Sequence, residues 1–167
     1  MDLSAFNVAA ETENSSFRQK LLHCCGSKRW AAEMCKRFPV RDVEELYQAA
    51  DAVDSTLTKE DWLESFAAHP RVCYVVVYWT FACSVTPMLQ ATKDADKIVL
   101  DRLDELNDAY YKKFGYIYIV CATGKSAPEM MRILESRMKN SPEDELSVAA
   151  GEQSKITKLR LEKLLQE

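Results

Sequence analysis

Thr58-Lys59-Glu60-Asp61-Trp62-Leu63-Glu64-Ser65-Phe66-Ala67-Ala68-His69-Pro70 spells out a helix together with both of its ends. Thr58 is a favoured N-cap residue, because its hydroxyl can accept from the backbone N–H groups that an α-helix leaves unpaired. Asp61, three places on, makes a relative of the capping box. Trp62 and Phe66 are four residues apart and share a face. Pro70 stops the helix, since the residue before a proline avoids the α region. His69 therefore sits at a helix C-terminus, where the aligned peptide dipoles favour a protonated imidazole.

The same grammar extends in both directions. Upstream, Ser16 caps a helix carrying Phe17, Leu21 and Leu22 that ends at Gly26. Ser27 caps the next, which carries Trp30 and Met34 and stops before Pro39. A third starts near Arg41, with Val43, Leu46, Tyr47 and Ala50 at helical spacing. Residues 1–14 read as a flexible polar lead-in. Downstream, Val99, Leu103, Leu106 and Tyr110 form one stripe. Ser126 and Glu129 form a capping box ahead of Ala127, Met130, Met131, Leu134 and Met138. Ser141-Pro142 opens a last helix, running to Gln166 with Leu146, Ile156, Leu159, Leu161 and Leu164.

Two segments depart from this pattern. Tyr116 to Ala122 (YIYIVCA) has β-forming chemistry. Val72 to Val85 carries no charge, yet it is shorter than the roughly 20 apolar residues of a membrane span. It is a buried helix or a strand, and periodicity does not separate the two. The expected fold is all-α, a single compact multi-helix domain over 15–167, with one extended segment near 116–122 and an atypical stretch at 72–96.

Composition narrows the function. A chain of 167 residues suits one domain and can bury a core without metal or disulfides. With only 4 Gly and 5 Pro, long helices fit better than a many-turned β fold. A net charge of -4 leaves no basic surplus for a phosphate backbone, so nucleic acid is not an expected partner. Neither is a membrane, and no signal peptide is recognisable at the start. Cys24, Cys25, Cys35, Cys73, Cys83 and Cys121 form no CxxC pair, and the chain has only 2 histidines. Reduced, mostly buried thiols and no metal site are expected.

Histidine is the one side chain that titrates near neutral pH unaided, which suits it to moving a proton. Around His69 the sequence resembles a known family, that of the 2-oxo-4-hydroxy-4-carboxy-5-ureidoimidazoline (OHCU) decarboxylases. Cys24-Cys25-Gly26-Ser27 with Arg29-Trp30 and Met34 resembles its opening, and Asp61 through Arg71 its central motif. Leu106-Asn107, Tyr110, Lys113-Phe114-Gly115, Ile119 through Ala127 and Ala149 through Leu161 are similar to its later motifs, in the same order.

The resemblance implies a compact helical fold, often dimeric. It implies decarboxylation of the ureidoimidazoline to (S)-allantoin in urate breakdown, with no metal or organic cofactor. His69 would be the proton carrier, Pro70 would line the pocket, and Tyr118, Ile119, Val120, Cys121 and Ala122 would line the substrate site. After the histidine the family has a Ser-x-x-Glu-Gln motif. Here spacing puts Thr86 near the Ser position and Gln90 near the Gln position, both as substrate-binding residues, while Leu89 falls where the Glu belongs. A leucine cannot orient an imidazole or accept its proton. Asp94 and Asp96 lie nearby at other spacings. The alternative is thus a weakened or inactive member acting as an interaction or scaffold protein. Lys125 and Arg71 are further cations near the motifs, with surface roles expected for both. No transthyretin-like hydrolase domain is expected after Glu167, and the C-terminus is no peroxisomal signal. The expected compartment is the cytoplasm, or the peroxisome.

Overall fold

The computed structural model describes residues 3–11, 15–69 and 90–166, the last of these beginning with backbone alone over 90–96. The described residues form helices α1 (Leu3–Glu11), α2 (Ser15–Cys25), α3 (Lys28–Cys35), α4 (Val43–Asp54), α5 (Lys59–Ala67), α6 (Gln90–Phe114), α7 (Ala127–Arg137) and α8 (Pro142–Gln166), with no strand among them. The all-α class expected from the sequence is the one observed.

Several helix ends follow the caps legible in the sequence, although α2 begins at Ser15 and so already contains Ser16, its expected cap. Ser27 accepts from the N–H of Trp30 and opens α3, and Thr58 with Asp61 makes a full capping box for α5. Ser126 with Glu129 does the same for α7, and Pro142 is the first residue of α8. For α4 the cap is Asp42, which accepts from the N–H of Glu45.

Two compact units are distinguished, residues 1–68 with 150–167 and residues 69–149. The core of the first is built from Phe6, Phe17, Leu21, Trp30, Met34, Leu46, Val53 and Leu161, all buried. Each large side chain so enclosed contributes about 1.5–3 kcal/mol of transfer free energy. The second contains α6, the non-helical stretch 115–126, α7 and the first turns of α8, with Leu103, Tyr110, Tyr118, Met130 and Leu134 buried.

Two expectations need correction. The lead-in over 1–14 contains a helix at Leu3–Glu11. Phe6 is fully buried, 5.3 Å from the Phe17 ring, and Asn7 exchanges hydrogen bonds with the backbone of Val40 at 2.8 and 2.9 Å. The segment is thus ordered by partners elsewhere in the chain, Phe17 on the next helix and Val40, which is 33 residues from Asn7. Secondly, the buried face of α8 is not its leucine set. Glu145, Ala149, Gln153, Thr157 and Leu161 are buried at strict four-residue spacing, while Leu159 is exposed. The polar members find partners, as Gln153 does in Thr157 at 3.2 Å, so the face is buried without being apolar. The extended segment expected near 116–122 falls in a non-helical stretch, and its β-forming chemistry finds no ladder partner that would make it a strand among the described residues. The segment is instead a buried connector, with Tyr116 and residues 118–121 enclosed.

Cys24, Cys25, Cys35 and Cys121 are free thiols, while Cys73 and Cys83 lie outside the described residues. The uncharged run 72–85 also lies outside them. Among the described residues no helix is long and apolar enough to cross a membrane.

Candidate active site

The end of α5 is held by the turn between α2 and α3. Gly26 closes α2 with φ +89°, its N–H donating to the carbonyl of Leu22 at 2.7 Å. A Cβ at this position would stand 2.8 Å from the Cβ of Ala68 and 3.0 Å from the carbonyl oxygen of Ser65. Only glycine allows both the left-handed backbone and this approach. The buried Ser65 hydroxyl donates to the carbonyl of Cys25, and the Cys25 sulfur lies 3.7 Å from the same oxygen. On the exposed side, Lys28 donates its backbone N–H to Glu64 at 3.0 Å, and Arg29 pairs with Asp61 at 2.9 Å. Burial works against the Asp61 charge, but bonds from Thr58 and Arg29 outweigh it and hold the carboxyl below its usual range. The Cys-Cys-Gly-Ser and Asp-Trp-Leu-Glu-Ser-Phe motifs, some 35–40 residues apart, therefore form one joint.

Ala68 caps α5 and His69, half-buried, is the next residue. The helix thus ends where the sequence places its end. Cys25 is no nucleophile, because burial pushes its thiol up to about 11 and leaves it neutral.

An open cavity of about 340 Å³ flanks this joint, lined by Leu22, His23, Gly26, Lys28, Ala68 and Arg160. Arg160, from α8, donates to the carbonyls of His23 at 3.0 Å and Cys24 at 3.2 Å, filling acceptors that the end of α2 leaves open. Burial lowers its pKa from the ordinary value. A second open cavity of about 280 Å³ shares His23 and Arg160 and adds Lys20 and Lys163. This face concentrates positive charge in a chain that is negative overall. Of these cations the sequence drew attention only to Arg160, and only as part of a motif.

Tyr118 to Ala122 are tied down individually. Tyr118 donates its hydroxyl hydrogen to the carbonyl of Met130 at 3.1 Å. The carbonyl of Ile119 accepts from Arg137 at 2.6 Å, and that of Cys121 accepts from the Lys125 ammonium at 2.8 Å. Lys125 is thus half-buried and holds backbone, where the sequence suggested a surface cation. Val120 and Cys121 are buried and Ala122 is half-buried.

Arg137 and Glu145 escaped the sequence reading. Both are buried, 5% and 0% exposed, and paired at 2.5 Å. A signal was present, since Arg137 lies seven residues after Met130 and three after Leu134, on the apolar stripe itself. The neighbouring Met138 was the more natural apolar choice.

Pro70, Arg71, Thr86 and Leu89 lie outside the described residues. Gln90 opens α6, and its side chain, with those of Asp94 and Asp96, is likewise outside them. Among the described residues, no three His, Cys, Asp or Glu side chains gather as a metal cluster.

Comparison with known proteins covers nearly the whole chain. The family model described as OHCU decarboxylase matches residues 10–162. The uric acid degradation bifunctional protein TTL of Arabidopsis thaliana is 39% identical over 145 residues, covering 84% of this chain and 45% of that protein. The uric acid degradation bifunctional protein of Bacillus sp. (strain TB-90) is 24% identical over 162 residues. The chain spans less than half the length of either relative, 45% of the first and 32% of the second. A crystal structure of an OHCU decarboxylase in the presence of (S)-allantoin matches with a TM-score of 0.73 and 36% identity, over 89% of this chain and 98% of that one. With a family model spanning nearly its whole length and a helical fold shared with a solved member, this chain belongs to the OHCU decarboxylase family.

Proposed function

We propose that this chain decarboxylates 2-oxo-4-hydroxy-4-carboxy-5-ureidoimidazoline to (S)-allantoin in urate breakdown, with His69 as the proton carrier. The observation that carries this is the joint at Gly26, Ser65 and Ala68, which fixes the residue before His69 through packing and buried hydrogen bonds. Proton transfer depends on such placement, since small misplacements of a reacting group are costly in rate. Membership of the family and the likeness to a decarboxylase studied with (S)-allantoin support the same assignment.

The chemistry asks little of the protein beyond geometry. As the bond to the carboxylate breaks and CO2 leaves, its electron pair passes into the ring, and a proton must then reach ring carbon. Delivery from one face sets the hand of the product. His69 supplies that proton, Pro70 is a substrate-binding residue, and Tyr118, Ile119, Val120, Cys121 and Ala122 form the wall facing the substrate. Thr86 and Gln90 contribute polar groups. The active form on this view is a homodimer, as the family resemblance implies, in the cytoplasm or peroxisome.

The test is chiral analysis of allantoin formed from freshly generated urate-oxidation intermediate. The wild-type chain gives (S)-enriched product above the spontaneous background. His69→Ala lowers the catalysed rate by about 10²–10⁴-fold, the usual contribution of a general acid–base group. A racemic product from the wild-type chain, or full turnover by His69→Ala, refutes the assignment.

A further inference from the structure

Arg137 and Glu145 are the most deeply buried charges among the described residues that the proposed chemistry does not use. The guanidinium spends its donors in fixed directions. Nε and Nη2 both reach Glu145 Oε1, at 2.7 and 2.5 Å, Nη1 donates to the carbonyl of Ile119 at 2.6 Å, and the Tyr110 hydroxyl lies 3.5 Å from Nη2. Its plane lies 4.8 Å from the centre of the Tyr118 ring. Glu145 also accepts from Tyr110 at 2.5 Å and from the side-chain amide of Asn140 at 2.9 Å. Both acceptor atoms of the carboxylate are engaged, and it cannot turn without breaking several bonds together.

A pair so buried is a poor way to gain stability. Desolvating two charges costs several kcal/mol, and apolar replacements of similar volume are often neutral or stabilising. What the pair supplies is direction, because a planar fork of donors locks an acceptor in place as an apolar side chain cannot. The acceptor locked here is the backbone of Ile119, midway between the Tyr118 hydroxyl anchor on Met130 and the Lys125 anchor on Cys121. A connector without a ladder partner has no other regular means of keeping its backbone in register.

We propose that Arg137, oriented by Glu145, is a positioning residue that fixes the carbonyl of Ile119 and thereby the Tyr118–Ala122 wall against which the substrate is held. The inference rests on the assignment of that wall under the proposed function. Neither residue touches substrate, and the effect is exerted through backbone placement.

The test uses the full chain with two variants. Arg137→Met combined with Glu145→Gln removes both charges while leaving Glu145's position an acceptor for Tyr110, so no lone buried charge drives unfolding. Arg137→Lys keeps the charge and loses the fork. Three quantities are read on each: thermal midpoint, amide hydrogen exchange over 117–122, and kcat and KM separately for (S)-allantoin formation. In the double variant exchange over 117–122 quickens at least 10-fold and KM rises roughly 10-fold, the worth of one charge-assisted hydrogen bond, while the midpoint stays near wild type. Arg137→Lys restores part of the KM loss. Unchanged exchange over 117–122 overturns the proposal, and so does wild-type KM and kcat in a variant whose segment exchanges faster. Should the double variant fail to fold, wild-type kinetics in Arg137→Lys overturn it equally. Racemic allantoin from the unmodified chain is a different failure, of the decarboxylase assignment itself, and is seen before any variant is compared.

Discussion

Gly26→Ala should destabilise this protein for two separable reasons. The residue sits at φ +89°, and a left-handed backbone costs a residue with a Cβ about 1–2 kcal/mol. The new Cβ would also stand 2.8 Å from the Ala68 Cβ and 3.0 Å from the Ser65 carbonyl oxygen. That oxygen is backbone and cannot rotate away, so the overpacking adds about 1–3 kcal/mol. The sum is about 2–5 kcal/mol.

The molecule contains its own control. Gly115 closes α6 at φ +83°, with its N–H on the carbonyl of Tyr111 at 2.8 Å, and nothing lies within 4 Å of an added Cβ. Gly115→Ala should therefore show the backbone cost alone, about 1–2 kcal/mol. In urea, with a slope of about 2 kcal/mol per molar, the overpacking difference of about 1–3 kcal/mol between the two variants is a midpoint shift of roughly 0.5–1.5 M. Ala68→Gly removes the atom that the new Cβ would meet. Combined with Gly26→Ala it should recover more than about 0.5 kcal/mol beyond additivity. Activity should fall as well, because any relief of the clash moves the residue before His69. Equal midpoints for Gly26→Ala and Gly115→Ala, with no coupling to Ala68→Gly, would show that the joint at the end of α5 is not as described.

Two further outcomes follow from the titrating groups. Burial raises the Asp54 carboxyl, although it accepts from Trp30 at 2.8 Å and from Ser154. A group raised on folding contributes stability that is fully present below its unfolded pKa and is lost as pH rises through the folded one. Asp54→Asn keeps an acceptor for the indole and removes the charge. It should therefore match or exceed wild type in chemical denaturation at pH 7, with the comparison turning toward wild type as pH falls through the raised folded pKa and the turn complete below the unfolded value of about 4; a marked loss at pH 7 would contradict this. Among the four described cysteines, Cys35, half-buried, should react first with iodoacetamide in the native chain at pH 8, and Cys25, buried with its thiol near 11, should stay unmodified until unfolding. Peptide mapping by mass spectrometry reads the order, and early labelling of Cys25 would contradict its burial.

How much was legible in advance divides along the range of the interactions. Helix ends set by Ser27, Thr58 with Asp61, Ser126 with Glu129 and Pro142 were all readable, since a cap is a hydrogen bond between residues two or three apart. The position of His69 just past the end of a helix was legible for the same reason. The family could also be recognised from motifs alone, because they are local strings in a fixed order.

Contacts between distant segments were not legible. Nothing in residues 1–14 shows that Phe6 and Asn7 will find Phe17 and Val40 and draw a helix out of a polar lead-in. The β-forming character of YIYIVCA records burial, which Tyr118, Ile119 and Val120 have, and not a strand, which requires a neighbour to pair with. On α8 the leucines suggested one face, yet Glu145, Gln153 and Thr157 are buried because partners elsewhere satisfy their polar atoms.

By itself, then, the sequence determined every described helix but α1, most of their ends, the family and the histidine that follows α5. Tertiary structure alone decided that Gly26 must be glycine because Ala68 lies against it, and that Arg137 belongs inside because Glu145 and the carbonyl of Ile119 meet it there. The physical reason is one of reach. A cap or a helical stripe is encoded within a turn or two of chain, whereas a close approach or a buried charge is permitted only by what a distant segment brings to it.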